Sequence, residues 1–242
     1  MRHDPMKMPN MTLATVALLS TAMGCIAPQQ PCQCPSSSAP SAADSSKSSS
    51  SSASAVPSAK PTGTLVSDGK SAGVLNVNPG GSWFMMNDKT AKGKMAPESN
   101  GDFPAAIHGG AIHTSGKGYT DWGGGIGFNF VGADALTLLD VSGFTGISFK
   151  LSGTTPVHIG LATKATMPEF GDCTKCYDHY STDITDLSPT PKVYTFKWAN
   201  LRAGGWGAPK AAFDPHTVVG LNFTSKGATA WDFAIHEISF TQ

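Results

Sequence analysis

From Thr62 to Gln242 the chain runs as short apolar stretches broken by clusters of Gly, Asp, Asn, Ser and Pro. Several stretches alternate strictly. In Gly146-Ile-Ser-Phe-Lys-Leu151, Ile147, Phe149 and Leu151 fall on one face, while Ser148 and Lys150 fall on the other. Val157, Ile159 and Leu161 repeat the pattern against His158 and Gly160. A period of two marks a strand with one face in a core, and no window carries a sustained 3.6-residue stripe. Segments 74–77, 82–86, 105–108, 127–131, 192–198, 218–223 and 231–240 also suit strands. Many short strands separated by turn signals predict one all-β domain over 61–242, an antiparallel sandwich or barrel.

One of these strands changes parity along its length. Phe233 and Ile235 share a face, whereas Ile238 and Phe240 sit on the opposite one. An extra residue near His236-Glu237 would bring both pairs to the same core, so a β-bulge is expected there.

The first sixty residues have a different character. Arg2 and Lys7 precede an apolar run, Met11 to Leu19, too short for a permanent membrane span but suited to a signal-peptide core. Ser20-Thr-Ala-Met-Gly-Cys25 follows and resembles a bacterial lipobox, although Ala22 stands where Leu is usual. The resemblance implies cleavage after residue 24 and acylation of Cys25, giving an exported protein held at the outer membrane or cell surface. Residues 25–60 form a Ser/Ala/Pro tract with almost no large apolar side chain, and such a segment cannot offset its ordering entropy. It reads as a disordered linker carrying Cys32 and Cys34, which are too close to pair easily with each other.

Charge excludes some partners. The 17 Lys and Arg balance 17 Asp and Glu, so the formal net charge is zero. A neutral chain lacks the electrostatic footprint for nucleic acid, and any membrane contact is expected through the lipid anchor only.

An ordered series of motifs resembles a known superfamily. The series is Tyr119-Thr-Asp-Trp-Gly-Gly-Gly-Ile-Gly127, Gly143-Phe-Thr-Gly-Ile-Ser-Phe149, Gly171-Asp-Cys-Thr-Lys-Cys-Tyr-Asp-His179, Lys197-Trp198 with Leu201 and Gly205-Trp-Gly207, and Phe233-Ala-Ile-His-Glu-Ile-Ser-Phe240. It is similar to galactose-binding-like jelly rolls, close to family-eleven carbohydrate-binding modules and the complex I intermediate-associated protein family. The resemblance spans residues 70–242 and implies a jelly-roll sandwich that binds carbohydrate without catalysis. Relatives usually carry two acids in the last strand; here the first is His236 and only Glu237 keeps the charge. A structural calcium is the one cofactor implied, with Asp88 and Glu237 as candidate ligands.

Sugar binding needs aromatic faces for the apolar side of a pyranose, with carboxylates, amides and imidazoles for its hydroxyls. The candidates are Tyr119, Trp122, Tyr177, Asp178, His179, Tyr180 and Trp206, most of them beside Gly or in turn-rich segments. Trp83 is a further candidate ring for this role, while Trp198, Trp231 and Phe149 lie on alternating strands and are read as core. Cys173 and Cys176 form a lone Cys-x-x-Cys. Zinc needs about four ligands and His179 would be only a third, so after export a local disulfide is the simpler account. The staple would shape the loop presenting Tyr177 and His179. His108 and His113, separated by two Gly, suit a strand–turn–strand and lack the zincin spacing.

Enzyme motifs for acyl transfer, nucleotide binding or metalloproteolysis are absent from the sequence. Scattered loop acids leave a polysaccharide hydrolase or lyase as one alternative reading. A protein-interaction role in the envelope is another.

Overall fold

A computed structural model describes residues 56–132, 137–225 and 230–242. The expected signal segment, Cys25, Cys32, Cys34 and most of the expected linker lie outside these residues. In chain order the strands are β1 (Ser58–Ala59), β2 (Leu65–Ser67), β3 (Trp83–Asn87), β4 (Lys94–Ala96), β5 (Ile107–His108), β6 (Ala111–Lys117) and β7 (Gly124–Asn129). They continue as β8 (Leu138–Leu139), β9 (Gly146–Gly153), β10 (Val157–Thr163), β11 (Tyr180–Ile184), β12 (Lys192–Lys197), β13 (Val218–Ser225) and β14 (Trp231–Thr241).

They form a jelly-roll sandwich of two seven-stranded sheets. Sheet A runs β3-β7-β13-β10-β11, with β8 pairing β13 at Val218 and β1 pairing β8. Sheet B runs β12-β9-β14-β6-β4, with β2 on β14 and β5 on β6. All pairs are antiparallel except β1 with β8. The sandwich therefore begins at Ser58, inside the segment assigned to the linker. Backbone bonds and local packing explain this: Leu138 and Asp140 donate to the carbonyls of Pro57 and Ala59, Val56 and Ala59 pack against buried core residues, and Lys60 pairs with Asp140 at 3.2 Å.

The alternation translates directly into the core. Ile147, Phe149 and Leu151 of β9 and Val157, Ile159 and Leu161 of β10 are all buried, and the Phe149 ring meets Phe223 of the opposite sheet edge-on at 5.5 Å. The expected bulge is present: along β14 the register with β9 shifts between Ile235 and Glu237, so Phe233, Ile235, Ile238 and Phe240 all reach the core. Trp231 and Phe149 are core residues and Trp198 packs partly buried against that core, as expected, but the candidate ring of Trp83 is buried as well, 4.7 Å from that of Phe128, and offers no face to a ligand.

Two expected strands take other forms. Residues 74–77 run as bends, with Leu75 donating to Val66 and Val74 to Gly81, yet Val74 and Val77 still bury their side chains. Phe103–Ala106 is a single helical turn, and only Ile107–His108 is extended. The Gly109-Gly110 turn then leads into β6 as anticipated, and it stacks the His108 and His113 rings 3.9 Å apart.

Candidate functional site

Of the sequence candidates for ligand binding, three present open rings: Trp122 is 44% exposed, Tyr177 57% and Trp206 56%. Two others are turned inward. Tyr119 is 6% exposed because its ring stacks on Trp231 at 5.4 Å, and Tyr180 is 5% exposed, lying edge-on to Phe213 at 5.3 Å. Tyr180 starts β11 opposite Leu161, and that register turns its side chain into the core; its hydroxyl donates to the Ala211 carbonyl at 2.7 Å. Neither ring offers a face to a pyranose.

Asp178 has a different task from the one its sequence context suggested. It is 7% exposed, and its carboxylate accepts the backbone N–H groups of Gly204 (2.7 Å), Gly205 (2.8 Å) and Gly207 (2.8 Å). With its oxygens so engaged, it is a clamp on the loop that carries Trp206 rather than a group presented to ligand. The side-chain-free positions are required here, since a Cβ on Gly207 would lie 2.6 Å from that of Asp178. Further bonds join the same two segments: Thr174 and Lys175 donate to the Ala208 carbonyl, and Ser181 donates to that of Arg202.

Tyr177 precedes the clamp and sits in the left-handed region at φ 70, which a non-Gly residue adopts at a cost of about 1 kcal/mol or more. Its N–H donates to the Thr166 carbonyl at 2.8 Å, and the Cys173–Cys176 disulfide closes the turn just before it. Both open rings, Tyr177 and Trp206, thus emerge from one locked cluster.

His179 carries the cluster onto the outward face of sheet A. Its ring lies over Gly160, where a Cβ would stand 3.4 Å from the His179 Cβ, and Asn222 flanks the same spot. The Thr166 hydroxyl lies 2.8 Å from His179 Nδ1 and 3.1 Å from the Thr163 carbonyl, so the imidazole is held by a hydrogen bond to Thr166. Burial lowers the imidazole pKa to about 4, with His158 assisting and Asp178 opposing, so the ring is neutral around pH 7. Across the same outward face, Phe84 and Met86 of β3 stand opposite Gly127 and Gly125.

Trp122 belongs to a second carboxylate-held loop. Asp88 accepts the N–H groups of Thr90 (2.9 Å), Asp121 (2.9 Å) and Gly123 (3.1 Å). Burial works to raise its pKa, but the bonds from Thr90, Asp121 and Gly123 prevail and hold it at about 2. By strand register this loop lies at the opposite end of sheet A from Tyr177. It enters β7 at Gly124, next to the row of Thr224 and His158, whereas Tyr177 leads into the row of Leu161 and Leu221. A group whose folded pKa is depressed stabilises the fold above its unfolded value, near 4, and loses that effect as pH falls toward 2. Urea midpoints of the wild type should therefore fall between pH 5 and pH 2 more steeply than those of Asp88→Asn. Parallel curves would remove Asp88 from the acid response.

The Asp88–Glu237 pair does not fit a calcium site. Asp88 is already bonded by backbone N–H groups, while Glu237 is exposed on β14 and accepts from the Ser239 hydroxyl at 3.1 Å. Among the described residues no cluster of three or more His, Cys, Asp or Glu could hold a metal ion.

A cleft of about 180 Å³ opens beside the clamp, walled by Thr166, Lys175, Asp178, Gly205 and Lys210. It shares Tyr180, Ala203 and Ala211 with a second cleft of about 490 Å³ bordered by Trp198, Arg202 and Phe213. Sequence inspection had no means of pairing Asp178 with a loop 26 residues away. The Gly204-Gly205-x-Gly207 spacing was the one available signal of a backbone held close to another group.

Fold and site together define a class: a jelly-roll sandwich presenting aromatic rings on carboxylate-locked loops beside a shallow groove. No protein-family model matches the chain, and no curated protein matches its sequence. Among solved structures it is similar to a family 11 carbohydrate-binding module from Clostridium thermocellum in complex with a beta-1,3-1,4-mixed-linked tetrasaccharide. That match has 17% identity and a TM-score of 0.47, covering 74% of this chain and 95% of the module. The family 11 module of the cellulosomal cellulase Lic26A-Cel5E from the same organism gives 18%, 0.47, 74% and 94%. The family 30 module of its cellulosomal cellulase Cel9D-Cel44B gives 13%, 0.38, 74% and 96%.

Proposed function

We propose that this domain binds carbohydrate without catalysis, and that acylated Cys25 and the linker hold it at the bacterial cell surface. The observation that carries the reading is the exposure of Tyr177 and Trp206 on loops fixed by Asp178. Flat rings that remain uncovered while their backbone is locked are preorganised to stack on a sugar, with no ordering left to oppose binding. The neutral His179 imidazole and the Asn222 amide supply polar groups for sugar hydroxyls nearby. The motif series resembling family-eleven modules agrees with this assignment.

Titration calorimetry of the full chain against a panel of soluble glycans tests the reading. At least one glycan should bind with measurable heat and without release of reducing ends. Heat from no glycan in the panel would sink it. In cells, Cys25→Ala should move the protein out of the membrane fraction, and unchanged partitioning would remove the anchor.

A further inference from the structure

The groove beside the clamp is lined by more basic than acidic side chains. Lys175 and Lys210 line the smaller cleft, and Arg202 lines the larger one that continues from it. Among the described residues none of these three joins an ion pair; the one bridge on the nearby turns is Lys164 with Asp172 at 3.0 Å. Asp178, the acid on the groove wall, is buried and bonded to three backbone N–H groups. Arg202 is held in place by the carbonyls of Ala199 and Leu201, the latter at 2.7 Å. The whole chain has a formal net charge of zero, whereas along this groove three cations outnumber Asp178 and the nearby Asp214, the two acids that act on the shared Tyr180.

We propose that the saccharide recognised here is anionic, a glycan bearing carboxylate or sulfate groups. This rests on the carbohydrate reading above and names its substrate class. Gly205 and Gly207, which flank Trp206, wall the same cleft as Lys175 and Lys210, so an acidic substituent on a pyranose stacked there would meet these ammoniums. Charge-assisted hydrogen bonds from these groups are stronger than neutral ones, because a full charge meets the anion. They are solvent-exposed, so salt screens them over about 10 Å at 0.1 M.

The test is titration of the full chain with polygalacturonate, a sulfated galactan and a neutral mixed-linkage glucan, each at 50 and 500 mM NaCl. Binding of either charged polymer, about tenfold weaker in Lys175→Gln/Lys210→Gln and weaker at high salt, is the expected result. Whichever polymer binds identifies carboxylate or sulfate as the group recognised. Both lysines are exposed, and an unchanged melting temperature in the double variant shows that its fold is intact. Binding of the neutral glucan alone, indifferent to salt and to the lysines, overturns the anionic class and leaves carbohydrate binding standing. Binding of none of the three overturns the anionic class, and the wider glycan panel then decides the carbohydrate reading separately.

Discussion

Asp178→Ala should cost the domain about 3 kcal/mol and at least a tenfold loss in saccharide affinity. The side chain touches no more than its own neighbourhood, yet it is the common acceptor for Gly204, Gly205 and Gly207. Hydrogen bonds to a charged acceptor contribute about 1.5–3 kcal/mol each, and removing the acceptor leaves partly buried donors unmatched. The three losses do not add, because a loop freed at one point can turn its remaining N–H groups to water. Asp178→Asn should fall between wild type and Ala, since the amide keeps a single acceptor oxygen where Oδ2 alone now receives two bonds. Urea denaturation gives the first quantity and calorimetry below the transition gives the second. Faster amide exchange at the three glycines would locate the damage in the Trp206 loop. Wild-type affinity in Asp178→Ala would show that the clamp has no part in binding.

Tyr177→Gly separates function from stability at a neighbouring position. Tyr177 holds φ 70 with a ring 57% exposed, so the fold carries backbone strain there without burying the side chain. Gly relieves that strain by about 1 kcal/mol, while the greater freedom of the unfolded chain takes back a similar amount. The melting temperature should therefore hardly move. Affinity should drop about tenfold or more, the effect expected of a Tyr anchor at a binding centre. Tyr177→Phe keeps the ring and should bind nearly as wild type, whereas Tyr177→Ala, which keeps the same backbone strain, should lose affinity with little change in stability. If Tyr177→Gly instead lowered the melting temperature and left the affinity of the folded domain intact, the ring would be a packing element.

The sandwich was legible because its strands obey a simple period. β9 and β10 alternate cleanly, and the parity change along β14 announced the bulge at His236. β6 was anticipated only as the arm after the Gly109-Gly110 turn, and its full length was hidden. Its inward positions are Ile112, Thr114 and Gly116, a pattern with little apolar signal. The Trp231 ring occupies the space a side chain on Gly116 would need, so the hydrophobic volume for β6 comes from β14. Local pattern cannot show such a loan between strands.

The site was legible in part. Tyr177, Trp206 and Trp122 are open as expected, but Tyr119 and Tyr180 have the same kind of Gly-rich or turn-rich surroundings and point inward. What separates them is strand register and a partner ring, Trp231 or Phe213, neither of which is encoded nearby in the chain. Asp178 and Asp88 read as loop acids, yet each gathers backbone N–H groups from segments about thirty residues away. A carboxylate that clamps a distant loop has no local sequence signature.

Resonance mapping on the ¹⁵N-labelled full chain is the most direct measurement. Addition of a bound glycan should shift the Trp206 indole N–H and the Gly204, Gly205 and Gly207 amides, and leave the buried Trp231 indole in place. Shifts confined to other surfaces, with the Trp206 loop silent at saturation, would contradict the assignment of this loop as the sugar platform.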